Sequence, residues 1–129
     1  FDDALYAAIQ LIQILSNSNK KLSEHVDNIP KVFNTPEIRI DCEDDKKFKL
    51  INNISKSQRK SNKKIVDIDG LRVQSESGWW LLRASNTQPC IVLRCESVSK
   101  VGLKNQLLKV KKAINEFDKK ISQKIVVEN

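Results

Sequence analysis

The sequence predicts an α+β domain: an antiparallel-rich, four-stranded sheet with two helices on one face, preceded by a helical segment. Three observations carry this reading. Residues 37–42 and 71–75 alternate polar and apolar side chains, the two-residue period of a half-buried strand. Residues 78–83 and 90–95 are strongly apolar runs with short polar punctuation between them, which reads as two adjoining strands. Apolar residues recur at three- and four-residue steps over residues 44–55 and 103–121, the spacing of amphipathic helices.

The chain opens with Leu5, Ala8, Ile9, Ile12 and Leu15 on one helical stripe, so Ala4–Leu15 is a helix. Asp2 and Asp3 favour its start by capping and by their charge near the helix dipole. Leu22–Ile29 is a second, short helix. Its His25 has no cysteine or carboxylate at ligand spacing and is assigned a surface or packing role. Pro30 and Pro36 bracket Lys31–Thr35, and a residue before proline is biased against helix, so this stretch reads as an extended connector. Strand Glu37–Cys42 follows. Asp44 and Asp45 then open a helix on which Phe48, Ile51 and Ile54 repeat up to Ser55. Lys56–Lys63 is polar throughout and is expected to be an exposed loop. Ile65–Ile68 is a short strand, Asp69-Gly70 a hairpin turn, Leu71–Ser75 a strand, and Glu76-Ser77-Gly78 a second turn. Trp79 and Trp80, being adjacent on a strand, point to opposite faces. After Cys95, Ser97 or Ser99 caps a last helix carrying Leu103, Leu107, Val110, Ile114, Phe117 and Ile121. That stripe fits a helix laid across the sheet better than a coiled-coil seam of under three heptads.

Composition narrows the functional classes. The chain has 129 residues, 40% hydrophobic and 30% charged, with only 3 Gly and 3 Pro, the profile of an ordinary mixed domain. No apolar run approaches the roughly 20 residues a bilayer-spanning helix needs, and no signal peptide is visible. Three cysteines without metal-ligand spacing point to a reducing, cytoplasmic setting. Met is absent even at position 1, so the chain is expected to be a piece of a longer protein. A net charge of +7 raises nucleic acid as a partner. The lysines fall on stretches of helical period, however, which makes solvated helix faces the plainer explanation. No aromatic stacking pattern accompanies them.

The chemistry concentrates between the two apolar strands. Arg83 ends the first of them, and Ser85-Asn86-Thr87-Gln88-Pro89 leads into the second. A guanidinium matches two phosphate oxygens with its planar fork. Hydroxyls, an amide and successive backbone N–H groups complete an anion cradle. The plain alternative is a hairpin with Asn86 in a left-handed turn position and the polar side chains satisfying their own backbone.

Arg83 to Pro89, following Asp69-Gly70-Leu71-Arg72-Val73 and Gly78-Trp79, resembles the last domain of the alpha-D-phosphohexomutases, in the phosphomannomutase/phosphoglucomutase branch. Related branches carry Gly in place of Asn86 and Glu in place of Gln88. Ala4–Leu15 and Asn34-Thr35-Pro36-Glu37-Ile38 fit the same pattern in order. The resemblance implies a TATA-binding-protein-like fold for residues 34–129. It makes residues 1–33 the helical end of the preceding, third domain plus a hinge. It implies an enzyme that interconverts hexose 1- and 6-phosphates through a phosphoserine and a bisphosphorylated intermediate. Mg²⁺ would be bound outside this stretch, so the chain alone carries no catalytic or metal residues. Arg83, Ser85, Asn86 and Thr87 would hold the non-transferring phosphate of a mannose or glucose phosphate. The partners implied are that phosphosugar and the missing domains of the same chain, with neither membrane nor nucleic acid expected. The competing expectations are a basic nucleic-acid-binding module and an interaction domain that pairs through the 103–121 stripe.

Overall fold

A single antiparallel sheet organises everything from residue 32 onward. The computed structural model describes residues 3–61 and 64–127. They form α1 (Ala4–Ser16), α2 (Leu22–Asp27), β1 (Phe33–Asn34), β2 (Ile38–Asp41), α3 (Asp44–Ser61), β3 (Ile65–Val66), β4 (Leu71–Ser75), β5 (Gly78–Ala84), β6 (Cys90–Ser97), α4 (Lys100–Asn115) and α5 (Lys119–Gln123). The chain divides into two compact units, one ending at Lys31 and the other beginning at Val32.

In the first unit α1 starts as its sequence demands: the Asp3 carboxylate accepts from the Tyr6 N–H at 2.8 Å. In α2 the Lys21 N–H donates to the Glu24 carboxylate at 2.6 Å, and His25 meets the Ser18 hydroxyl at 3.1 Å. Neither helix buries a residue, and Leu5, Ile9 and Ile12 stand exposed along one stripe of α1.

The sheet order is β1-β6-β5-β4-β3, with β2 also pairing with β6. β1 and β2 lie end to end along one edge of β6: Asn34 opposes Glu96, and Ile38 opposes Leu93. Four strands are substantial, and β1 and β3 contribute two residues each. The alternation of side chains then separates two faces. Ile40, Leu71, Val73, Trp80, Leu82, Ile91, Leu93 and Cys95 all point one way and are buried. They pack with Leu50, Ile51 and Ile54 of α3, with Val110, Ala113 and Ile114 of α4, and with Ile121 and Ile125. Both long helices therefore cover the same face, the α+β layering expected.

Four local readings need correction. Residues 56–61 are helical and not a loop, because α3 continues to Ser61. Once a helix is nucleated each further residue adds a hydrogen bond at little cost. The extension is also held from outside: Ser57 donates to Glu116 at 3.3 Å, and Arg59 pairs with Asp67. The remainder of that predicted loop, Asn62 and Lys63, lies outside the described residues. The 103–121 stripe is not one helix. α4 ends at Asn115, and α5 restarts after Asp118, whose carboxylate accepts from Ile121 N–H at 3.0 Å. The connector is partly sheet: besides β1, Thr35 is buried, donates its N–H to Cys95 O at 2.9 Å and accepts from Cys95 N–H on Oγ1 at 3.0 Å. Finally, the β3–β4 hairpin is wider than a two-residue turn, with Val66 opposing Arg72 and Ile68 exposed at its tip. Gly70 closes it at φ +94°, where an L side chain is strained.

Candidate functional site

β5 and β6 pair in unbroken register from Gly78–Ser97 to Ala84–Ile91, and Ser85 N–H extends the ladder by donating to Cys90 O at 3.0 Å. The loop between them is short and closed from within. The Ser85 hydroxyl oxygen accepts from the N–H groups of Gln88 (3.1 Å) and Thr87 (3.4 Å). Cys90 N–H reaches back over Pro89 to Gln88 O at 2.8 Å. Three contacts from the β2–α3 segment then pin its far end. Cys42 N–H donates to Pro89 O at 2.9 Å, Lys47 Nζ to Gln88 O at 2.9 Å, and the Arg39 guanidinium to the Gln88 side-chain oxygen. The Asn86 and Thr87 side chains are exposed and make no hydrogen bond to any described residue.

Ser85 thus turns its oxygen inward but, acting twice as acceptor, keeps its own O–H free to donate. Asn86 is not left-handed: among the described residues no non-glycine has positive φ. Of the plain hairpin alternative, the left-handed Asn86 is absent, whereas Ser85 does satisfy the loop's own backbone.

Arg83 shares the parity of Trp79 and Leu81 and lies on the sheet face opposite α3 and α4. Its Nη1 donates to Asp69 Oδ2 at 3.2 Å, with both side chains substantially exposed. Gly70 makes that approach possible, since a Cβ there would sit 2.5 Å from Arg83 Cβ and 2.6 Å from Leu82 O. Three more arginines share this face: Arg39, which with Arg83 flanks Val92, and Arg94 and Arg72, which flank Leu81. The Arg72 guanidinium stacks 4.5 Å from the Trp79 ring centroid, and the Trp79 indole N–H donates to Glu96 at 3.1 Å. On the helix side a recess of about 210 Å³ lies beneath the loop. Asn86 and Ala84 line it, as do Asp67 and Asp69, which are ion-paired with Arg59 and Arg83.

The sequence of residues 37–120 matches the family model described as phosphoglucomutase/phosphomannomutase, C-terminal domain. The chain belongs to this family. A phosphomannomutase/phosphoglucomutase of Pseudomonas aeruginosa strain PAO1 is 42% identical over 98 residues, 75% of this chain and 21% of the relative. A phosphoglucosamine mutase of Methanocaldococcus jannaschii is 35% identical over 115 residues, covering 88% and 25%. A solved phosphoglucomutase/phosphomannomutase family structure from Burkholderia thailandensis superposes with a TM-score of 0.70 at 32% identity, over 90% of this chain and 24% of that one. The chain spans about a quarter of the length of these relatives.

Within this family domain the four residues singled out from the sequence lie at the end of β5, with Arg83 on the strand and Ser85, Asn86 and Thr87 in the loop after it. Sequence reasoning missed the residues that hold them: Asp69 and Gly70 beside Arg83, and Arg39 and Lys47 on Gln88. Local spacing signals none of the last two, because 49 and 41 residues separate them from Gln88. Cys42, next to the loop, has its thiol pushed up by burial first and then by the carboxylates of Asp118 and Glu43, so it stays protonated at neutral pH.

The Mg²⁺ implied by the resemblance does not fit the residues present. No group of three or more His, Cys, Asp or Glu among the described residues is placed to hold a metal ion. Asp44 and Asp69 are engaged with Lys47 and Arg83. No helix among the described residues is long and apolar enough to cross a membrane.

Proposed function

We propose that this chain is the part of a phosphomannomutase/phosphoglucomutase that grips the non-transferring phosphate of a hexose phosphate. Residues 34–129 form the gripping domain, and residues 1–33 are the end of the domain before it. The observation that carries the reading is the loop itself. Its backbone is closed by contacts from below, while Arg83 and the side chains of Asn86 and Thr87 remain exposed at its rim. Arg83 leaves Asp69 to meet two phosphate oxygens. An exposed ion pair contributes only about 0–1 kcal/mol, whereas a charge-assisted bidentate contact is stronger. Thr87 and the free O–H of Ser85 donate to the same phosphate, as does the Asn86 amide.

In the parent enzyme the phosphoserine and the metal-binding residues lie outside this chain, which does not catalyse alone. Its residues bind and orient. Holding a phosphate remote from the reacting centre lowers the barrier when that grip is realised in the transition state. The loop recognises phosphate and leaves the choice between mannose and glucose to other parts of the protein.

An amide-resolved NMR titration with glucose 1-phosphate, mannose 1-phosphate and inorganic phosphate tests this at two salt concentrations. Shifts concentrate at residues 83–87 for all three ligands, and Arg83→Ala weakens binding about tenfold or more, the loss of a hydrogen bond to a charged group. In the parent enzyme the same substitution raises KM and lowers kcat. Unchanged binding and kinetics would refute the assignment.

One competing reading has an observation behind it. Four arginines and Trp79 on the face opposite α3 and α4 suit a nucleic-acid platform. Shifts spread over that face, erased by salt and strongest with single-stranded RNA, would favour it. Pairing through the 103–121 stripe has less support, because Val110, Ile114 and Ile121 are buried in the core and Leu103 and Leu107 pack partly against it.

A further inference from the structure

Lys47 is the lysine that does not behave like a surface charge. It stands in the first turn of α3, yet its side chain is only 3% exposed. Lysine is almost never buried this completely unless paired. Its ammonium meets Asp44 Oδ1 at 2.5 Å and donates to the backbone carbonyl of Gln88 at 2.9 Å. It also lies 5.2 Å from the Phe48 ring centroid. Its partner Asp44 is 72% exposed, so the pair itself contributes little to stability. What the ammonium contributes is a fixed direction for one carbonyl.

That carbonyl sits at a decisive place. Gln88 O accepts both from Lys47 and from Cys90 N–H across Pro89, so the peptide joining Gln88 to Pro89 is held with its oxygen inward. On the other side of the same residue, the Gln88 N–H is held by the Ser85 hydroxyl. The rim residues Asn86 and Thr87 lie between Ser85 and Gln88, the two residues joined by that last contact. We propose that Lys47 is a positioning residue of the loop: by drawing the Gln88 carbonyl inward, it sets the loop in the conformation that receives phosphate. The inference rests on the phosphate-binding reading above. Lys47 itself is buried and does not touch the ligand.

The test uses the whole 129-residue chain, isotopically labelled, with inorganic phosphate as the probe. In the unaltered chain the Lys47 ammonium protons exchange with water far more slowly than those of the exposed lysines. In Lys47→Met the melting temperature holds. The amides of Gln88 and Cys90 exchange about tenfold faster and phosphate binds about tenfold more weakly, as loss of a charge-assisted hydrogen bond predicts. Lys47→Arg, which keeps a cationic donor, recovers part of both losses. A merely structural lysine would move the melting temperature and leave the loop-specific exchange in proportion to it.

Lys47→Met with unchanged loop exchange and unchanged phosphate affinity overturns the proposal. So does rapid exchange of the Lys47 ammonium in the unaltered chain, a result that needs no variant to fold. Failure of the underlying reading has a different signature. Phosphate then leaves residues 83–87 unshifted, or binds Arg83→Ala as well as the unaltered chain, while the exchange measurements still report whether the brace exists.

Discussion

The two faces of one sheet divide the labour of this domain, and neighbouring tryptophans show how sharply. Trp80 is 1% exposed in the core under α3 and α4. Trp79, one residue earlier, lies on the opposite face, stacked under Arg72 and bonded to Glu96. The same alternation puts Leu82 in the core and Arg83 outside, Leu93 in and Arg94 out. A period of two thus lets a single strand contribute both cohesion and charge without compromise between them. The covered face is where the fold is held. The face opposite α3 and α4 is where four guanidiniums stand.

The largest effect belongs to the covered face. Trp80→Ala removes the largest fully buried side chain and should cost about 3–5 kcal/mol in a denaturant titration, as other large-to-alanine core changes do. A loss below 1 kcal/mol would mean that the helix layer does not hold the sheet as described.

Alkaline pH probes the same face. Burial pushes the Cys95 thiol up from 9.0 to about 12. Below pH 9 the thiol is protonated in both folded and unfolded chains, and its contribution to stability is fully present. Above pH 9 the unfolded chain ionises while the folded one does not, so stability falls through pH 12 by up to about 4 kcal/mol. Comparing the chain with Cys95→Ala across this window isolates the effect: the difference between them should shift against the unaltered chain as pH rises. A constant difference would place Cys95 in contact with water.

The smallest effect belongs to the opposite face. Arg72→Ala removes a partly exposed cation–π contact and should cost only about 0.5–1 kcal/mol, with a change in Trp79 fluorescence. A cost similar to that of Trp80→Ala would erase the distinction between the faces.

Much of this division is legible in the sequence, because it follows from short-range periodicity. The Trp79–Trp80 parity, the turns around Gly70 and Gly78, the Ser99 cap on α4 and the loop from Arg83 to Pro89 all depend on residues a few positions apart. The misreadings have a common physical source. Residues 56–61 carry no apolar stripe, and their helix is fixed partly by Glu116 and Asp67, distant in sequence or beyond its end. The break at Asn115 hides because the apolar spacing continues through it, although Phe117 is 43% exposed while Ile121 is buried. Lys47 reads as one more lysine among many until α3 is packed against the loop. Contacts made by folding, and not by spacing, select it.

The pairing of β1 with β6 has a mechanical consequence. β6 begins at Cys90, at the foot of the loop, and ends at Ser97, opposite Phe33. Thr35 is laced to Cys95 on both its backbone and its hydroxyl. The segment that follows Val32 is therefore tied to the strand whose other end carries the loop. The connector and the loop are thus one strand apart, joined by β6, whose Ile91, Leu93 and Cys95 belong to the core.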